Sequence, residues 1–302
     1  MTSKKPVGLK LLLIEVGMRI VFAIGCSLFF LSACNGQSES LPPQTIKEAG
    51  PEKNEEKSSI VGQAEPNVEN KIAHTPSTSG TEQVHTNTLL GKNNPSTNPD
   101  FIEIPQEMAN RSGMRLHRSA FASFKRMRAQ AKEDGVVLTI ISATRTFEQQ
   151  KRIWERKWTG AKKVDGMDLS VSISDPRERA KKILEYSSMP GTSRHHWGTD
   201  IDINSLNNDY FSSGKGKKEY EWLRDNGHEF GFCQPYSPKG EERTNGYEME
   251  KWHWSYMPLA EDYLMWYVKK IKPENLNGFK GSDALPFDEV LNYVTGISQD
   301  CK

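Results

Sequence analysis

Two stretches of this chain concentrate side chains that can hold a metal ion or move a proton. The first is Gly191–Asn204, Gly-Thr-Ser-Arg-His-His-Trp-Gly-Thr-Asp-Ile-Asp-Ile-Asn; the second, about fifty residues on, is Glu250-Lys-Trp-His-Trp-Ser-Tyr256. Hydrolytic zinc is commonly held by three protein ligands, imidazole nitrogens and carboxylate oxygens, with a fourth position left for water. His195, Asp202 and His253 supply such a set. Glu250, three residues before His253, is placed to take a proton from the attacking water and return it to a leaving amine.

For this chemistry the side chains must share one face. Asp200–Ile203 alternates polar and apolar, which predicts a strand with Asp200 and Asp202 on one side and Ile201 and Ile203 on the core side. A single bend before it lets His195 reach back towards Asp202. Trp252–Tyr256 alternates likewise, with His253 and Ser255 on one face and Trp252, Trp254 and Tyr256 on the other. Spacing alone leaves competitors: His196 beside His195, Asp200 beside Asp202, and Glu248 beside Glu250.

The supporting elements follow from periodicity. Leu116, Ala120, Phe124, Met127 and Ala131 mark one helix face that stops at Gly135. Val136–Ile141 reads as a buried strand. Arg145 lies where that strand gives way to a helix, which Thr146 and Gln149 open with a capping box. Asp175-Pro176 reads as an N-cap and first helical position, and further helices are expected over 218–225, 259–271 and 286–297. Together they predict one α+β domain, a small antiparallel sheet carrying the site and flanked by helices, over residues 100–302.

The N-terminal third is of another kind. Residues 1–33 have Lys4, Lys5 and Lys10, an apolar run from Ile20 to Leu31 and then Leu31-Ser32-Ala33-Cys34. This is the layout of an export signal, its cleavage site is similar to a bacterial lipobox, and Cys34 is the expected lipidation site. Met18-Arg19 with the apolar residues after it makes a compact signal by itself. The run, about 12 residues, is short of the roughly 20 that span a bilayer core. Residues 34–99 are polar and nearly free of aromatics, so they are expected to stay a disordered tether with a coil dimension of about 45 Å. The expected location is the bacterial envelope, with a membrane anchor through the lipid.

Formal net charge is only +1, which gives no electrostatic basis for nucleic-acid binding, and nothing implies an obligate protein partner. Cys233 and Cys301, the thiols left after the signal and the lipid site, can pair in an oxidising compartment if the fold brings them together.

Ser193-x-His195-x-x-Gly198-x-Asp200-x-Asp202 with Glu250-x-Trp252-His253-x-x-Tyr256 resembles the paired signature of the VanY-type D-alanyl-D-alanine carboxypeptidases. These belong to a wider group of zinc peptidases that includes the D-Ala-D-Ala dipeptidases and resembles the Hedgehog fold. Ser142-Ala-Thr-Arg-Thr-Phe-x-x-Gln150 and Tyr220-Glu-Trp-Leu223 with Phe230-Gly-Phe232 extend the likeness over nearly all of 101–260.

The resemblance implies Zn2+ on His195, Asp202 and His253, Glu250 as catalytic base, and Arg145 stabilising an oxyanion or holding a substrate carboxylate, with Gln150 and Ser193 helping to bind the terminal peptide. The implied substrate is the peptidoglycan stem peptide, cleaved at its terminal D-amino acid. An L,D-carboxypeptidase, a cross-link endopeptidase and a non-catalytic peptidoglycan-binding module are the alternatives. Thr144 and Asp200 depart from the family pattern, at positions where an aromatic and an alanine are usual.

Overall fold

The computed structural model describes residues 86–302. In chain order these form α1 (Thr86–Leu89), β1 (Phe101–Glu103), β2 (Arg115–His117), α2 (Arg118–Glu133), β3 (Ile140–Ser142), α3 (Phe147–Trp158), α4 (Leu169–Ser172) and α5 (Pro176–Leu184). Then come β4 (Asp200–Ile203), α6 (Gly214–Asn226), β5 (Phe232–Cys233), β6 (His253–Tyr256), α7 (Met257–Lys270) and α8 (Phe287–Thr295). The expected signal, Cys34 and most of the expected tether lie outside the described residues.

β1 and β2 make a two-stranded ribbon, and the other four strands form a sheet in the order β3-β4-β6-β5, every pair antiparallel. The register sets Asp202 opposite His253, Ile201 opposite Trp254 and Asp200 opposite Ser255. Cross-strand partners share a face, so pairing alone sorts the two strands into a polar side and an apolar side. Ile201, Ile203 and Trp254 join Ile140, Phe232, Leu223 and the buried stripe of α2 in one core. Trp252 breaks the expected alternation: it lies in the turn before β6 and lines the cleft described below.

A second core lies among the remaining helices, around Trp154, Ile183, Leu184, Trp197, Tyr267, Val290 and Val294. The capping box at α3 is formed, with Gln149 N–H donating to Thr146 Oγ1 and Thr146 N–H donating to Gln149 Oε1. Asp175 caps α5 ahead of Pro176. Cys233 on β5 is disulfide-bonded to Cys301 across a sequence separation of 68, a loop whose closure is worth about 4 kcal/mol in the chain-entropy account.

The domain begins earlier than residue 100. Leu89 and Leu90 are buried in the second core, Gly91 O accepts the backbone N–H of Phe147 at the head of α3 (2.7 Å), and Leu89 O accepts the Trp197 indole N–H (3.2 Å). Two adjacent leucines in a polar stretch do not change its average composition, yet they suffice to anchor a short helix. Leu89→Ala is expected to cost about 3 kcal/mol and to lower the melting temperature by roughly 6–12 °C. Calorimetry checks this, and an unchanged midpoint would place the segment outside the cooperative unit.

Candidate metal centre and active site

His195 comes from a short 3-10 turn, Arg194–Trp197, that ends on Gly198 in a left-handed conformation (φ 71°). A Cβ there would meet the Phe101 ring at 2.4 Å, so glycine is required where the turn feeds β4. Asp202 and His253 come from paired positions of β4 and β6. One ligand atom from each of the three residues lies within 4.8 Å of the other two: His195 Nε2 is 3.3 Å and His253 Nδ1 3.2 Å from Asp202 Oδ1.

The donor set suits a small cation. His195 Nε2 and Asp202 Oδ1 are buried and without a hydrogen-bond partner among the described residues. Such unsatisfied atoms cost about 1–3 kcal/mol each, a cost that a coordinated ion removes. Two imidazoles and one carboxylate, with no fourth ligand grouped with them among the described residues, are the pattern of an open zinc site.

The far nitrogen of each imidazole is fixed. His195 Nδ1 lies 2.9 Å from Ala143 O, so it carries the proton and Nε2 offers its lone pair to the site. His253 Nε2 lies 2.9 Å from Asp200 Oδ1, which leaves Nδ1 for the metal. Asp200 is itself held by Arg194 Nε (3.1 Å) and Thr199 Oγ1 (2.5 Å), while Arg194 Nη2 donates to Ser255 Oγ (2.6 Å). Asp200 therefore belongs to the polar layer behind His253, placed as a carboxylate is when it orients a histidine towards a metal. Its departure from the family pattern was the one signal of this in the sequence; Arg194 and Ser255 carried none.

The competing side chains are engaged elsewhere. His196 Nδ1 donates to Arg145 O (2.7 Å) and its Nε2 accepts the Gly191 N–H (3.1 Å). Burial pushes its pKa down to about 3, so it is a neutral cross-brace. Glu248 pairs with Lys239 at 2.6 Å.

Burial opposes ionisation of Asp202, but the adjacent imidazoles of His195 and His253 outweigh it and hold the carboxyl well below the usual range. At Asp200 burial is likewise outweighed, there by Arg194 and His253. Burial disfavours the imidazolium of His253, and the surrounding carboxylates of Asp200, Asp202 and Glu250 more than compensate, raising its pKa. For Glu250, burial prevails and raises the pKa above the ordinary 4.5. Its Oε2 is 3.4 Å from His253 Nδ1.

Arg145 reaches the centre from the β3–α3 junction, with Nη2 3.7 Å from Asp202 Oδ2. Its backbone N–H donates to His195 O (3.0 Å) and its Nη1 to Gln150 Oε1 (2.9 Å). Gln150 is fully buried, with Nε2 donating to Ser188 O (2.7 Å). Both ends of its amide are thus used inside the protein, and it lines no cavity at the site. Ser193 borders a recess of about 20 Å³ together with Ser188, Tyr236, Tyr247, His195 and His253. Arg145, Tyr186 and Glu250 border both this recess and a much larger cleft of about 830 Å³.

A buried His-Asp-His set on a small antiparallel sheet, with a further carboxylate where a long cleft meets a small recess, defines a metallopeptidase of the α+β class. Residues 113–259 match the family model of VanY, D-alanyl-D-alanine carboxypeptidase, and the chain belongs to that family. It is 28% identical over 241 residues to a D-alanyl-D-alanine carboxypeptidase of Enterococcus faecalis (strain ATCC 700802 / V583), covering 80% of this chain and 81% of the relative. It is 31% identical over 148 residues to the putative carboxypeptidase YodJ of Bacillus subtilis (strain 168), covering 47% of this chain and 46% of that protein's length. Among solved structures, VanYB in complex with D-alanine-D-alanine is 24% identical, with a TM-score of 0.40 over 61% of this chain and 91% of that one.

Removing the carboxylate behind His253 tests the layer. Asp200→Asn is expected to weaken zinc binding about 10–100-fold in a chelator-competition titration; unchanged affinity would detach Asp200 from the metal centre.

Proposed function

We propose that this chain is a zinc-dependent D,D-carboxypeptidase that removes the terminal D-alanine from peptidoglycan stem peptides in the bacterial envelope. The observation that carries the reading is the convergence of His195, Asp202 and His253 with Glu250 at the junction of the cleft and the recess. His195 through Nε2, Asp202 through Oδ1 and His253 through Nδ1 would hold the ion. Bound there, zinc supplies a Lewis acid and lowers the pKa of a water towards neutrality.

The protein's own groups do the rest. Glu250, buried and with a raised pKa, receives a proton from the attacking water and delivers it to the leaving amine. The Arg145 guanidinium, fixed by Gln150, carries the negative charge of the addition step or holds the substrate's terminal carboxylate. Gln150 acts through Arg145 and through the Ser188 carbonyl. The recess, with the Ser193 and Ser188 hydroxyls and the Tyr236 and Tyr247 rings, suits a terminal residue with a side chain no larger than a methyl group, and the cleft takes the peptide that precedes it.

A purely structural zinc would call for a fourth protein ligand, and His196 and Asp200, which neighbour the ligands in sequence, are committed to other partners. Cys34 as lipidation site, with the segment after it as tether, completes the proposal and fits an envelope enzyme; among the described residues no helix is long and apolar enough to cross a membrane.

Glu250→Gln is expected to retain zinc but lose at least 10³-fold in kcat on a peptide ending in D-Ala-D-Ala, within the range for a general base. Chelation should abolish the wild-type reaction and added zinc restore it. Mass analysis of products from pentapeptide and tetrapeptide substrates separates D,D- from L,D-cleavage. Activity indifferent to chelator, or to the loss of the Glu250 carboxylate, would overturn the mechanism.

A further inference from the structure

Lys157 stands in the last turn of α3, part-buried, and lines the large cleft but not the recess. Its Nζ donates to Ser187 Oγ at 2.5 Å, a neutral partner, and among the described residues it forms no ion pair with a carboxylate. The acidic groups around it are otherwise occupied. Asp165, on the same cleft, is held by Lys182 at 2.6 Å, and Glu250 faces His253. Arg145 and Lys162 add positive charge nearby. Burial first, then the charge of Lys162, push the Lys157 pKa down to about 8.

A partly desolvated ammonium with one neutral partner is costly to keep. An arriving anion relieves that cost and forms charge-assisted hydrogen bonds with the two N–H donors that Ser187 leaves free. The position says which part of a substrate would carry the anion. The scissile bond must lie at Glu250, where cleft and recess meet, and the recess admits only the terminal residue. A group reaching Lys157 therefore belongs to the chain that precedes the scissile bond.

We propose that Lys157 is an anion-binding residue of the cleft and that it sets a preference for a free carboxylate on a substrate residue before the bond that is cut. This rests on the carboxypeptidase reading above.

The test uses the full zinc-loaded chain and two synthetic peptides ending in D-Ala-D-Ala, alike except that the residue before these two carries a carboxylate in one and the isosteric amide in the other. The wild type is expected to show a KM about tenfold lower for the acidic peptide. Lys157→Met should erase most of that preference through KM rather than kcat, and Lys157→Arg should keep part of it. A wild type indifferent to the carboxylate, or a Lys157→Met variant that loses equally on both peptides, would overturn the proposal and leave Lys157 as a structural partner of Ser187. If the wild type cleaves neither peptide, the carboxypeptidase reading fails by itself. Calorimetric binding of the two peptides then still decides on Lys157: tighter binding of the acidic one, lost in Lys157→Met, supports it, and equal binding overturns it.

Discussion

The site depends on the register between β4 and β6. Asp202 and His253 sit opposite each other, and because side chains alternate with period two, a slip of one residue would turn His253 onto the face of Ile201 and bring Trp254 into the metal position. The hydrophobic core on the far side enforces the choice, since Ile201, Ile203 and Trp254 are all buried there. Apolar packing on one face thus fixes the geometry of charged groups on the other.

The layer behind the metal set is held at an energetic disadvantage. Arg194 and Asp200 are fully buried, and a buried ion pair contributes little net stability against its desolvation. Its members nonetheless bond to one another in sequence, with Thr199 and Arg194 on Asp200, Ser255 on Arg194, and His253 on Asp200, while Arg194 Nη1 has no hydrogen-bond partner among the described residues. The arrangement exchanges stability for orientation: the His253 ring can neither rotate nor exchange tautomers without breaking a buried charge-assisted bond. His196 does the same on the opposite side, joining the Gly191 turn to the Arg145 backbone.

Local rules made much of this legible. The capping box at Thr146, the Asp175-Pro176 start and the alternation of Asp200–Ile203 are encoded within a few residues, and the structure has them. The fold class and the three clustered donors followed from the same periodicities and a family likeness. What stayed hidden depended on distant partners. No spacing rule says that Gln150 turns inward to Ser188, that His196 braces Arg145, or that Lys157 reaches Ser187 thirty residues away. The alternation rule failed at Trp252 because the strand starts one residue later, and composition missed Leu89 and Leu90 because an average cannot register two residues.

The attachment of the N-terminal segment also has a mechanical meaning. The chain entering at Thr86 is fastened by the Leu89 carbonyl to Trp197, two residues from His195, and by the Gly91 carbonyl to Phe147, two residues from Arg145. A Cβ on Gly91 would fall 2.3 Å from the His196 ring, so backbone and brace are in direct contact. Tension applied upstream of Thr86 is therefore delivered to Trp197 and Phe147, each two residues along the chain from a side chain of the site, so the load path passes beside the catalytic geometry.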